Sequence, residues 1–290
     1  MSIRQITVIG TGLIGGSFAL ALKKHGFRGR IVGCDRQAVL TRAEKSGAFD
    51  DLVTHPVQAS RSSHLALLAT PVLAIIDLIT KLAPTLPEGT LLADVGSTKS
   101  AIMDRANAAF GNNSAKRFLG GHPMAGKEQC GIEFADPDLF QGATWFVTPS
   151  DGQSIHDGLC GEYLVWIEKI GARIVSMSPP EHDELVGWIS HVPQMISTAL
   201  AATLVDEYGA DAPLLDTAGR ALREMTRVSS SPYSMWRDVA ISNKDNISAA
   251  LLKLEQRLAH IRENLDTRQL ADEFETARQL RNSVVSKKHG

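Results

Sequence analysis

The hexapeptide Gly10-Thr11-Gly12-Leu13-Ile14-Gly15 constrains this chain more than any other stretch. It follows a short β-rich run over 3–9 and opens a helical run over 13–25. In a strand–turn–helix unit the first glycine permits the tight turn. The second lets a pyrophosphate approach the backbone, and the third lets helix and strand pack closely. The anion then rests on the helix N-terminus, where free N–H groups and the macrodipole favour negative charge. Asp35 follows Gly15 by 20 residues, at the end of the next strand-like run, 30–34. A carboxylate there accepts hydrogen bonds from ribose hydroxyls and repels a 2′-phosphate, which favours NAD. Arg36 beside it keeps NADP open, because a guanidinium can accept that phosphate.

The alternation continues past the turn. A helical stretch covers 37–46, an apolar strand 64–69, a helix 71–83, and further strands 90–95, 117–121 and 174–175. Near-continuous apolar strands alternating with helices predict a parallel sheet covered on both faces. After residue 176 the pattern changes. Apolar residues at 185, 189, 192, 196, 200 and 204 have helical spacing, with Pro193 expected to kink the run. Ile247, Leu251, Leu254, Leu258, Ile261 and Leu265 form a second, heptad-like seam. The expected architecture is an α/β Rossmann-type dinucleotide-binding domain over 1–176, followed by an all-α domain over 177–290. The run 189–205 is apolar nearly all round, which predicts burial against a second copy of the chain.

Composition narrows the function classes. Thirty basic against 32 acidic side chains give a formal charge of −2, which argues against nucleic-acid binding. No apolar run is long enough for a membrane helix, and the first residues lack the pattern of a signal peptide. Cys34, Cys130 and Cys160 are scattered, with no disulfide or zinc spacing, so a reducing cytoplasm is the expected location. No metal site is expected.

In open α/β sheets the ligand lies beyond the carboxyl ends of the strands. Three segments qualify: Thr70-Pro71, Ser97 within Asp94-Val95-Gly96-Ser97-Thr98-Lys99, and His122 within Gly120-Gly121-His122-Pro123-Met124-Ala125-Gly126. A histidine at a strand end, with a hydroxyl donor one strand away, suits a general base. His182 and His191, nine positions apart, are expected to face opposite sides of one continuous helix. His191 and Gln194, three apart, share a face.

The ordered motifs GTGLIGGS, DVGSTKS, GGHPMAGKE, HDELVGWISHVPQ and EMTRVSSSPYSMWRD resemble the prephenate/arogenate dehydrogenases, the cyclohexadienyl dehydrogenases of tyrosine biosynthesis. The resemblance runs from about residue 6 to 244. It implies oxidative decarboxylation of a cyclohexadienol. The carbinol hydrogen passes to NAD(P), a base takes the hydroxyl proton, the ring carboxylate leaves as CO₂ and the ring becomes aromatic. It implies His122 as the acceptor, with Ser97 orienting its imidazole and touching the same oxygen. It implies Arg227 on a substrate carboxylate, Glu128 at the entrance, and Arg223 and Trp236 flanking the pocket. Gly10, Gly12, Leu13, Ile14, Gly15, Asp35, Arg36, Thr70, Pro71 and Ser97 would face the cofactor. Prephenate-using relatives typically carry SHxPH, whereas this chain has SHVPQ, with Gln194 in place of the second histidine. A neutral side chain offering an acceptor oxygen suits the ammonium of arogenate, which leans the reading that way.

Two further readings stand beside this one. A β-hydroxyacid dehydrogenase would need a lysine in the first long helix after residue 176, and 181–207 contains none. A non-enzymatic NAD sensor would have no use for His122 and Ser97. No room is expected for a mutase or regulatory module, and the tail SKKHG reads as a solvated end. Activity is expected to rise with pH through one ionisation in the usual histidine range.

Overall fold

The computed structural model describes residues 2–209 and 217–286, with side chains described through residue 283. The tail at 287–290 lies outside the described residues. Two compact units are present, Met1–Lys244 and Asp245–Gly290.

The first unit is built on one eight-stranded sheet in the order β3-β2-β1-β4-β5-β6-β7-β8. The strands are β1 (Gln5–Ile9), β2 (Arg30–Cys34), β3 (Asp51–Val53), β4 (Leu65–Leu68), β5 (Leu91–Asp94), β6 (Phe118–Pro123), β7 (Thr144–Thr148) and β8 (Arg173–Ser176). Strands β1 to β6 pair in parallel, as in the expected dinucleotide-binding fold. One face is covered by helices Leu13–Lys24 and Gly158–Lys169 and the other by Val72–Leu82 and Ser100–Phe110, giving two apolar cores. The sheet is not wholly parallel. β7 runs antiparallel to β6, and β8 then runs parallel to β7. The reason lies in the β6–β7 link, which holds only a one-turn helix at Ile132–Phe134. A parallel return would need a crossover, usually a long helix.

After β8 the chain is helical. A capping box, with Glu181 closing back on the Ser178 amide and hydroxyl, starts helix Pro179–Val186. The run expected as a single kinked helix is instead three pieces: that helix, a π-helical turn Gly187–His191, and helix Val192–Tyr208. Pro193 sits in the first turn of the last piece, where its missing N–H costs nothing.

The second unit holds helix Lys244–Glu263, apart from its first residue, and helix Arg268–Ser286. Arg257 on the former donates to Glu273 on the latter at 2.6 Å. Ile247 and Ala250 are buried, whereas Leu258 and Leu265 of the heptad-like seam are exposed.

Candidate active site

The glycine-rich turn has the geometry its sequence requires. Gly10 adopts φ +103°, and a Cβ there would lie 2.3 Å from the Ala69 carbonyl oxygen. At Gly15 a Cβ would lie 2.0 Å from the Gly10 oxygen, so strand and helix touch through bare backbone. Above Gly12 nothing stands within 4 Å. Helix Leu13–Lys24 has no side-chain cap and no acidic residue in its first turn, so its N-terminal donors face that opening unopposed. Leu13 is buried and Ile14 is half-buried against the core. Asp35 accepts from the Thr11 amide at 2.8 Å and from the Arg36 amide at 2.8 Å, which fixes its carboxylate beside the turn. The Arg36 side chain is exposed. Beside Gly10, the Thr70 hydroxyl is buried without a hydrogen-bond partner, and Pro71 starts the next helix. An open backbone approach, free helix donors, a fixed carboxylate and an orphaned hydroxyl together fit a dinucleotide.

The same sheet edge carries a cavity of about 340 Å³. Ser97 and His122, at the carboxyl ends of β5 and β6, line it together with Glu128, His191, Gln194, Arg227 and Trp236. Arg223, expected to flank the pocket, is instead exposed on helix Arg220–Thr226 and does not line this cavity. Arg227 stands in the tighter turn Arg227–Ser230 that follows this helix. Arg227 and Glu128 are paired at the mouth of the cavity, both in contact with solvent.

Buried charge holds the floor rigid. Lys99, with no exposed side-chain surface, donates to Asp94 and, at 2.6 Å, to the Gly121 carbonyl. Asp94 also accepts from the amides of Gly96 and Gly121, at 2.7 and 3.1 Å. A Cβ at Gly121 would come within 2.7 Å of the Asp94 carbonyl oxygen. That close approach explains the glycine immediately before His122.

The partner of His122 differs from the one expected. Its Nδ1 meets His182 Nε2 at 2.9 Å, and His182 Nδ1 meets Asp183 Oδ1 at 2.9 Å. The amides of Lys99 and Ser100 donate to the two oxygens of Asp183 at 2.7 and 2.8 Å. Ser97 shares the cavity, and the side-chain hydrogen bond of the His122 imidazole is made with His182. Burial, reinforced by the neighbouring His182, Lys99 and His191, pushes His122 well below the ordinary histidine range. This direction disfavours the charged form and runs against the ionisation expected in the usual histidine range.

His182 and His191 do not face opposite sides as expected for a continuous helix. A π turn inserts an extra residue into the helical phase, which rotates His191 back toward His182. Asn243 ties His191 to the Asp183 backbone, its amide nitrogen lying 2.8 Å from the Asp183 carbonyl and 3.0 Å from His191 Nδ1. His191 also packs edge-on against Trp236, centroid to centroid 5.9 Å. The Gln194 amide nitrogen donates to the Val228 carbonyl at 2.9 Å and to Thr198 at 3.2 Å. Sequence reasoning missed His182, Asp183, Lys99 and Asn243 as parts of this cluster. The signal was faint: a His-Asp pair just inside a capped helix start, where a surface pair would look the same.

Burial lowers His191 from 6.5 to about 4. The sign follows from linkage. Below 6.5 the unfolded chain takes up this proton and the folded protein does not, so stability present above 6.5 is lost as pH falls toward 4. The loss is on the order of 2–4 kcal/mol. Urea unfolding across this range is expected to show a falling midpoint, with a shallower fall in His191→Asn. An equally steep fall in the variant would remove His191 as the source.

Strand order, turn and cavity define a dehydrogenase-like protein with a nucleotide-binding half. Residues 18–176 match the family model of the prephenate dehydrogenase nucleotide-binding domain, and residues 178–279 match its dimerization domain. The chain belongs to the prephenate dehydrogenase family. It is 32% identical over 289 residues to a prephenate dehydrogenase of Lactococcus lactis, covering 97% of this chain and 77% of that one. The structure of prephenate dehydrogenase from A. aeolicus, in complex with hydroxyphenyl propionate and NAD+, is similar with a TM-score of 0.84 and 28% identity. That match covers 100% of this chain and 99% of the other. Arogenate dehydrogenase from Synechocystis is similar at TM-score 0.76 and 27% identity, covering 98% and 99%.

Proposed function

We propose that this chain oxidises and decarboxylates a cyclohexadienol with NAD, arogenate in preference to prephenate. The observation that carries the reading is a buried histidine lining a cavity whose mouth holds an arginine, on the sheet edge that bears the dinucleotide turn. Gly10 to Gly15, Thr70 and Asp35 would hold NAD, and the fixed Asp35 carboxylate disfavours a 2′-phosphate. When bound, NAD supplies the acceptor for two electrons and the carbinol hydrogen.

The protein's own groups do the rest. His122 accepts the ring hydroxyl's proton, and Ser97, beside it, can donate to the same oxygen. Arg227 exchanges its Glu128 partner for a substrate carboxylate, where its planar fork binds two oxygens. Loss of the ring carboxylate as CO₂ leaves its bonding electrons in the ring, which becomes aromatic. That gain provides the driving force, so the site has mainly to position and deprotonate.

Gln194 supports the substrate choice. The Val228 carbonyl must receive an N–H, which fixes the amide orientation and leaves the Gln194 carbonyl oxygen as an acceptor. Arogenate offers an ammonium at its side chain, and prephenate offers only a pyruvyl group. Initial rates with each substrate are expected to give a higher kcat/KM for arogenate. Gln194→His is expected to move that ratio toward prephenate by about 10–100-fold, the worth of one hydrogen bond to a charge. A wild type that prefers prephenate, with a ratio insensitive to the substitution, would reverse the assignment.

The division into a nucleotide-binding 1–176 and a helical 177–290 accords with where the two family models meet. We read the helical part as the surface on which two copies associate. In the single chain, Trp188, Ile189, Val205 and Tyr208 are exposed around helix Val192–Tyr208. Light scattering at micromolar concentration is expected to give twice the chain mass, and a monomer would refute the association. Among the described residues no helix is long and apolar enough to cross a membrane.

A further inference from the structure

We propose that His182 and Asp183 are positioning residues that fix which nitrogen of His122 carries its proton, so that Nε2 is left as the base. The inference rests on the reading of His122 as proton acceptor, but its geometric content does not depend on the substrate.

The argument follows the protons along the chain of three side chains. Asp183 is held by the amides of Lys99 and Ser100. Burial pushes its carboxyl up, but the bonds from His182, Ser100 and Lys99 outweigh burial and hold it below the ordinary carboxylate range. An ionised carboxylate only accepts, so the Nδ1 of His182, 2.9 Å away, must carry a hydrogen. Burial also holds His182 below the ordinary histidine value, so the ring is neutral and has a single N–H. Its Nε2 is therefore a lone pair. That lone pair faces Nδ1 of His122 at 2.9 Å and must receive a hydrogen from it. The proton of neutral His122 is thereby confined to Nδ1. The remaining nitrogen, Nε2, keeps its lone pair on a ring that lines the cavity beside Ser97.

The opposite tautomer would aim two lone pairs at each other across the buried His122–His182 contact, or would set a lone pair of His182 against Asp183. A buried unmatched contact of this kind costs about 1–3 kcal/mol. When His122 takes a proton at Nε2, the new charge lies two hydrogen bonds from the Asp183 carboxylate. The arrangement does for His122 what a buried aspartate does in a serine protease triad, with a second imidazole interposed. It also explains why the π turn matters. Asn243 spans from the Asp183 carbonyl to His191, so the turn that brings His191 in also braces the residue at the end of the relay.

The test has two arms. Nitrogen-15 spectra of protein labelled at histidine, recorded without substrate at mildly alkaline pH, distinguish the two tautomers. The His122 signals are assigned by their loss in His122→Asn. They are expected to show a protonated Nδ1 and a bare Nε2, and a protonated Nε2 would overturn the proposal. This arm stands even if the protein turns over neither cyclohexadienol. In the second arm, His182→Phe removes the acceptor, whereas His182→Gln places a carbonyl oxygen near the position of Nε2. His182→Phe is expected to lower kcat by about 10²-fold with KM within about twofold. His182→Gln is expected to recover most of that loss. Equal activities in the two variants, or a change confined to KM, would contradict the role. Should His182→Phe fail to fold, the wild-type spectrum decides alone.

Discussion

His122→Asn is expected to lower kcat by about 10²–10⁴-fold and to leave NAD affinity unchanged. The size follows from what is removed. A positioned base is worth that much when its lone pair is aimed and its ring neutral, which is what the proposed reading of His122 requires. Burial and the adjacent His182 and Lys99 keep the ring uncharged, and His182 holds its other nitrogen. The dinucleotide turn shares no hydrogen bond with His122, so cofactor binding, read by quenching of tryptophan fluorescence, is not expected to change. The wild-type pH profile is expected to stay level through the usual histidine range and fall only below it, because the neutral form persists there. Near-normal turnover in the variant would place the base elsewhere.

Lys99→Met is expected to destabilise the fold by about 3–5 kcal/mol. Lys99 and Asp94 have no exposed side-chain surface, and removing one partner leaves the other charge buried without compensation. The Gly96 and Gly121 amides still solvate Asp94, which places the loss toward the lower end. Lys99 also donates to the Gly121 carbonyl, so its removal frees the strand segment that carries His122. Urea denaturation reads the effect directly. A change below about 1 kcal/mol would show that Asp94 is carried as a neutral acid and that the pair is not an ion pair.

The fold was legible wherever one local rule sufficed. The turn at Gly10 to Gly15 and strands β1, β2, β4, β5 and β6 follow from apolar runs punctuated by glycine and proline. Strand β3, only Asp51–Val53, is too short to carry a periodic signal. Strand β7, Thr144–Thr148, has strand-forming residues, but its antiparallel direction depends on the length and irregularity of the link before it. The π turn at Gly187–His191 escaped because helical periodicity assumes one fixed angle per residue. That single departure changed which histidines meet.

The cavity was legible to the extent that its residues lie at strand ends or in recognisable motifs, as Ser97, His122, Gln194, Arg227 and Trp236 do. What supports them was not. His182 reaches His122 across 60 positions of sequence, and Lys99 reaches Gly121 across 22. Such contacts exist only once the sheet and helices have packed, so residue spacing along the chain carries no trace of them. Arg223 illustrates the converse: a motif neighbour of Arg227 that is exposed and does not line the cavity.

On the proposed reading, reduction of NAD and loss of the ring carboxylate are one event. Purified protein supplied with NAD and arogenate labelled at the ring carboxylate tests it directly, with reduced nicotinamide followed by its near-ultraviolet absorbance and labelled CO₂ trapped in parallel. One CO₂ is expected for each NAD reduced, at equal rates, with tyrosine as the aromatic product. Release of CO₂ without NAD reduction, NAD reduction without CO₂, or neither with arogenate or prephenate would rule this reaction out.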